Sequence, residues 1–103
     1  MAGNEWIRVA KIADVPDGSA VALDLDGRSL ALFHSGSHFY AIDNLCPHKG
    51  GPLAEGSLEN GQVTCSWHAW TFDVRTGQCE TVPGVKIGHY PVKIKYDEVF
   101  IKL

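Results

Sequence analysis

Val21-Ala22-Leu23-Asp24-Leu25-Asp26-Gly27 places a large apolar residue at every second position and then runs into an Asp-Gly pair. A period of two is the signature of a β-strand with one buried face, and Asp-Gly is a strong hairpin signal, so Leu30 to Phe33 reads as the returning strand. The same grammar repeats outward in both directions. Phe39 to Asp43 predicts a further strand, Asn60-Gly61 a tight turn feeding Gln62 to Cys65, and Tyr96-Asp97-Glu98-Val99 a turn between the last two strands. In Val92-Lys93-Ile94-Lys95-Tyr96 the apolar and basic residues fall on opposite faces. Long helical periodicity is absent. Short strands, evenly spaced with turn chemistry between them, predict an all-β fold: an antiparallel sandwich or barrel.

With 103 residues, 45% hydrophobic and 20% charged, the chain suits one domain of ordinary globular composition, spanning 1–103. No apolar run approaches the roughly 20 residues that cross a bilayer, so no membrane association is expected. Met1-Ala2-Gly3-Asn4-Glu5-Trp6 has neither a basic n-region nor an apolar h-region, which points to the cytoplasm. Three cysteines make an odd count, too few for a disulfide framework and consistent with a reducing compartment. A net charge of −3 argues against nucleic acid, whose phosphates require clustered Lys and Arg. No linker, repeat or low-complexity segment divides the chain.

One long irregular stretch is expected from Asn44 to about Glu59, with Pro47, Gly50, Gly51, Pro52 and Gly56 in it. It opens on Cys46-Pro47-His48. The strand that follows ends in Cys65-Ser66-Trp67-His68, so the chain holds C-x-H-x16-C-x2-H, one thiol and one imidazole twice over. A Cys and a His two or three residues apart point the same way from a tight turn, and two such loops at neighbouring strand ends supply four ligands. Cys46, Cys65, His48 and His68 are therefore the candidate ligands, and no residue is assigned a catalytic role. Two metals suit a Cys2His2 set. Structural zinc draws its ligands more often from Cys-x2-4-Cys and His-x3-5-His pairs than from mixed ones. Mixed pairs match a two-iron, two-sulfide centre with Cys46 and Cys65 on one iron and His48 and His68 on the other.

Charge says what that ligand set achieves. Two ferric ions, two sulfides, two thiolates and two neutral imidazoles sum to zero, whereas four thiolates leave a dianion. Adding an electron to the neutral centre costs less, which is why mixed-ligand centres span about −150 to +300 mV against about −400 mV for the all-cysteine plant type. Imidazoles on ferric iron are also more acidic, so electron uptake at high pH is expected to couple to protonation of His48 or His68.

Around these residues the chain resembles the Rieske family. Cys46-Pro47-His48-Lys49-Gly50-Gly51-Pro52-Leu53 is similar to that family's first cluster loop, and Cys65-Ser66-Trp67-His68-Ala69-Trp70-Thr71-Phe72 to its second. The stretch from Phe72 to Gly77 resembles the strand and turn that follow. The resemblance covers nearly the whole chain. It implies small stacked antiparallel sheets with a cluster-binding subdomain at one tip, loops at about 44–56 and 65–72, one 2Fe-2S cluster, and histidine ligands near solvent.

Departures from the family pattern narrow the branch. Members of cytochrome bc-type complexes carry two further cysteines that join the loops, and here those places hold Gly51 and Trp67. Their second loop also carries a serine and a tyrosine that donate to cluster sulfurs, where this chain has Trp70 and Phe72. Losing those donors lowers the expected potential. The short chain leaves no room for an oxygenase's 2-His-1-carboxylate iron site, and His34, His38 and His89 sit singly in strand-like segments. The resemblance thus implies a ferredoxin that passes single electrons from a flavoprotein reductase to a terminal oxygenase, an electron-transfer component rather than a stand-alone catalyst. The alternative is the small subunit of an NADH-dependent nitrite reductase bound to its large subunit. A zinc-stabilised interaction module without redox activity is a third reading.

Other residues carry smaller expectations. Trp67 and Trp70 flank His68 and are expected to shield the cluster or rim a docking surface, Trp70 packed and Trp67 partly exposed. Pro47 and Leu53 are expected to cover the cluster, and Pro83-Gly84 resembles the family's third covering loop. Cys79 is expected to be a free thiol in a turn, and Trp6 a core residue. Asp43, Glu55, Glu59, Asp73 and Glu80 either steer a basic partner or form an ordinary solvated surface.

Overall fold

The computed structural model describes residues 6–47, 50–66 and 69–103. Its strands are β1 (Trp6–Lys11), β2 (Ala20–Leu25), β3 (Arg28–Ser35), β4 (His38–Asp43), β5 (Ser57–Glu59), β6 (Gln62–Thr64), β7 (Thr71–Asp73), β8 (His89–Tyr90), β9 (Val92–Lys95) and β10 (Glu98–Lys102). They form three antiparallel sheets, ordered β2-β3-β4-β8, β1-β10-β9 and β5-β6-β7. The all-β antiparallel architecture expected from the alternation is the one observed, in the small sheets that the resemblance implies, and helix among the described residues amounts to two single 3-10 turns, at Ile12–Asp14 and Leu53–Glu55.

The turn residues explain the hairpins. Asp26 and Gly27 have φ of 51° and 77°, Asn60 and Gly61 53° and 77°, and Tyr96 and Asp97 53° and 66°. Positive φ at both central residues is the type I′ turn, whose twist matches that of the strands it joins. Asp-Gly and Asn-Gly announce this geometry in sequence. Tyr96-Asp97 reaches it without glycine, at the expense of two side chains in the left-handed region.

The central sheet is covered on both faces. In β3 the consecutive residues Leu30, Ala31, Leu32 and Phe33 are all fully buried. Leu30 and Leu32 pack with Ala41, Val99 and Ile101 toward the β1-β10-β9 sheet, while Ala31 and Phe33 pack with Ile42, Leu53, Val63, Phe72, Cys46 and Cys65 on the other side. A strand buried on both faces reads as a continuous apolar run. The molecule therefore has two cores, and the second contains both candidate cysteine ligands.

Two expectations need correction. The irregular stretch does not extend to Glu59: it ends in the 3-10 turn at Leu53–Glu55, and Ser57–Glu59 pairs with β6 as a strand too short to show alternation. Trp6 belongs to neither core; it pairs across from Lys102 at the sheet edge with the Lys93 ammonium 4.6 Å and the Lys102 ammonium 5.7 Å from its ring, a cation–π arrangement on the outer face. In β9, Ile94 is 43% exposed because β9 is an edge strand that leaves its apolar face half covered.

Candidate metal centre

Cys46 and Cys65 open two loops with the same backbone closure. In the first, the Cys46 N–H donates to the Gly51 carbonyl at 2.9 Å and the Gly50 N–H to the Cys46 carbonyl at 2.7 Å. In the second, the Cys65 N–H donates to the Trp70 carbonyl at 2.8 Å and the Ala69 N–H to the Cys65 carbonyl at 2.9 Å. Each loop is thus six residues long, closed from its cysteine to the fifth residue on and bonded back from the fourth. In both, that fourth residue is left-handed, with φ of 75° at Gly50 and 66° at Ala69. The two loops are local copies of one turn, and both cysteines are 1% exposed in the same apolar core.

Their bases are held differently. The second loop springs from the β6-β7 hairpin, where Thr64 pairs with Thr71 and their hydroxyls lie 3.1 Å apart in a hydrogen bond. The first springs from Asn44, with Leu45 bridging Pro52 above it. A third loop leans on the second: Phe72 bridges Cys79, the Glu80 N–H donates to the Thr71 carbonyl at 2.7 Å, and the Thr71 N–H donates to the Thr81 hydroxyl at 3.0 Å. Its tip is Val82-Pro83-Gly84-Val85, where proline followed by glycine at φ 87° fits a type II turn. Val82 and Val85 pack against the core that holds Cys46 and Cys65, so the Pro83-Gly84 loop backs the site.

His48 and His68 lie outside the described residues, as do Lys49 and Trp67. Cys46 and Cys65 are brought together in one core. Two buried sulfurs that no disulfide joins, on matched turns in an apolar surround, fit a thiolate-bound iron centre, because iron offsets the thiolate charge that such a surround would otherwise disfavour. Leu53 is fully buried beside them and Pro47 is exposed. Trp70 is partly buried against the same core, as expected. Cys79 makes no disulfide, but it is core rather than turn: it is buried, and its sulfur accepts the Val82 N–H at 3.4 Å.

Other expected residues have local tasks. The His34 ring stacks on Phe39 at 4.1 Å and bonds the Val15 carbonyl through Nδ1 at 2.7 Å, while His38 and His89 are exposed. Asp43 accepts the Tyr90 hydroxyl at 2.6 Å and the Gly88 N–H at 2.8 Å. Burial first, then the Asp43 bond, pushes the Tyr90 phenol above its ordinary range. Asp73 accepts from the Arg75 backbone and guanidinium, and the bond to that guanidinium holds its carboxyl below the usual range. Two of the five acidic residues considered for steering are thus engaged within the fold.

Comparison with known proteins bears on the chain as a whole. The family model described as Rieske [2Fe-2S] domain matches residues 5–91. The ferredoxin component of the naphthalene 1,2-dioxygenase/salicylate 5-hydroxylase systems of Ralstonia sp is 37% identical over 99 residues, 95% of this chain and 95% of that one. The ferredoxin of carbazole 1,9a-dioxygenase from Nocardioides aromaticivorans IC177 superposes with a TM-score of 0.89 at 30% identity, covering 96% of this chain and 98% of that one. A chain described as a nitrite reductase NADPH small subunit superposes at 0.86 with 19% identity over 96% of this chain and 99% of that one, a likeness of fold alone.

Proposed function

The chain belongs to the Rieske 2Fe-2S family, and on that premise we propose that it is the ferredoxin of an oxygenase system, taking single electrons from a flavoprotein reductase and delivering them to a terminal oxygenase. The observation that carries this reading is end-to-end similarity to a ferredoxin component, 37% identity over 95% of both chains, together with two matched cysteine loops in one core. The nitrite reductase reading has only a shared fold behind it.

One Rieske-type 2Fe-2S cluster is the cofactor, and it supplies one-electron chemistry when bound. Cys46 and Cys65 would hold one iron from the buried side, and His48 and His68 the other. The loops fix the two sulfurs, the apolar core excludes water from them, and the third loop braces the second. The whole of 1–103 forms this one domain. No helix among the described residues is long and apolar enough to cross a membrane, and the cytoplasm is its proposed compartment.

The same residues favour a potential in the lower part of the roughly −150 to +300 mV range of such centres. Phe72 is fully buried and brings no hydroxyl to the second loop, and one of the Thr64 and Thr71 hydroxyls donates its proton to the other. A phenylalanine at this place stabilises the added electron less than a hydroxyl donor would.

Iron and sulfide analysis of the purified protein, with electron paramagnetic resonance of the reduced form, tests the assignment. Two irons and two sulfides per chain with a rhombic signal are expected, and Cys46→Ser or Cys65→Ser should abolish them. Stoichiometric zinc in a colourless protein would overturn the reading. Reduction by a flavoprotein reductase, followed by reoxidation by an oxygenase, tests the partners.

A further inference from the structure

Asn44 is the one fully buried polar side chain among the described residues, 4% exposed, and it stands two residues before Cys46. All four of its polar groups are used. Its N–H donates to the Ser29 carbonyl at 2.9 Å and its side-chain Nδ2 to the Ser29 hydroxyl at 3.1 Å, fastening it to β3. Its carbonyl accepts the Leu53 N–H at 2.6 Å and its side-chain Oδ1 the Ala54 N–H at 2.8 Å. Because a backbone N–H only donates, the Ala54 bond fixes which way the amide points. One residue thus ties both ends of the 44–54 segment to each other and to a central strand.

The first loop lacks the regular hairpin that supports the second. Thr64 and Thr71 pair within β6 and β7, whereas between β4 and the Leu53–Glu55 turn the only strand-like pairing among the described residues is the isolated Leu45–Pro52 bridge. We propose that Asn44 is the positioning residue of the first ligand loop, holding Cys46 in place for the cluster in the way that β6-β7 pairing holds Cys65. Serine in its place would not span both sides, and an apolar residue would leave the part-buried Ala54 N–H and Ser29 hydroxyl without their partner.

This inference rests on the reading of Cys46 as a cluster ligand. Its test compares the cluster-loaded wild type with Asn44→Ala, Ser29→Ala and Val99→Ala. Val99 is buried in the other core, so its truncation lowers global stability without touching the loop. The readouts are the rate of iron release to a chelator, the resonance line shape of the reduced protein and the unfolding midpoint. Loss of buried hydrogen bonds of this kind corresponds to roughly tenfold in a local opening equilibrium. Asn44→Ala should therefore release iron about tenfold faster and broaden the signal, and Ser29→Ala should do so by less. Val99→Ala should keep the wild-type rate and line shape despite a lowered midpoint.

Equal release rates in Asn44→Ala and Val99→Ala would overturn the proposal. Should Asn44→Ala fail to fold, Ser29→Ala decides: faster release than Val99→Ala supports the clasp, and an equal rate overturns it. Iron-loaded protein indifferent to both substitutions sinks this inference alone, whereas wild type that binds no iron sinks the site assignment and this inference with it.

Discussion

At the scale of single residues the two candidate ligand loops share a left-handed backbone at their matched fourth positions but fill it with different residues. Gly50 is left-handed at no steric expense, and a methyl there would meet no atom within 4 Å. Ala69 adopts the same conformation with a Cβ, which costs roughly 1 to 2 kcal/mol. The two positions therefore predict opposite signs. Ala69→Gly should stabilise the cluster-loaded protein by a net of about 0.5 kcal/mol, because relief of strain exceeds the extra entropy of the unfolded chain. Gly50→Ala should destabilise it by about 1 kcal/mol through conformation alone. Thermal unfolding of the two variants beside wild type checks both, and a stabilised Gly50→Ala would contradict the matched-turn geometry. The sequence displays the cysteines and histidines openly, since their chemistry is in their identity. It does not display that Ala69 repeats Gly50, because a left-handed alanine follows from the loop's hydrogen bonds rather than from alanine's own preference.

At the scale of elements, the weakest attachment in the central sheet is β8, which pairs with β4 through only Ala41–Tyr90 and Ile42–His89. Asp43 reinforces it by accepting from both Tyr90 and Gly88. Tyr90→Phe removes one of these donors from a partly buried carboxylate and should cost about 1 to 2 kcal/mol in urea unfolding. A neutral result would mean that water replaces the phenol without loss. The turn after β7 makes a pH prediction. Asp73 has its carboxyl depressed below 3.8 by Arg75, so its contribution is complete above the unfolded value and is lost as pH falls through the folded one. Asp73→Asn should therefore be less stable than wild type near neutrality, by under about 1 kcal/mol because the partner is half exposed, and the difference should shrink below about pH 4. Denaturation midpoints against pH measure it. Neither acid announced its task in sequence. Asp43 and Tyr90 lie 47 positions apart, and only the β4-β8 pairing makes them neighbours.

At the scale of the whole molecule, what was legible followed from period and turn chemistry. Val21 to Gly27 gave its hairpin directly, whereas β5 at three residues and the doubly buried run of β3 carry too little alternation to be read as faces. The division into two cores was not legible, because it depends on which sheet covers each face of β3. That division has a thermodynamic consequence. The core with Val99 and Ile101 contains no candidate ligand, while the other contains Cys46 and Cys65. Metal binding stabilises most strongly the elements that its ligands hold, and protein structures open in units of unequal stability. Stripping the cluster with a chelator should therefore loosen the two halves unequally. Amide hydrogen exchange should accelerate over 44–56 and through β5, β6 and β7, while β1, β3 and β10 keep the protection they have in the loaded protein. Uniform loss of protection would show that the two cores unfold as one unit and that the cluster stabilises the whole fold; unchanged exchange at the tip would show that the ligand loops are held by their own hydrogen bonds alone.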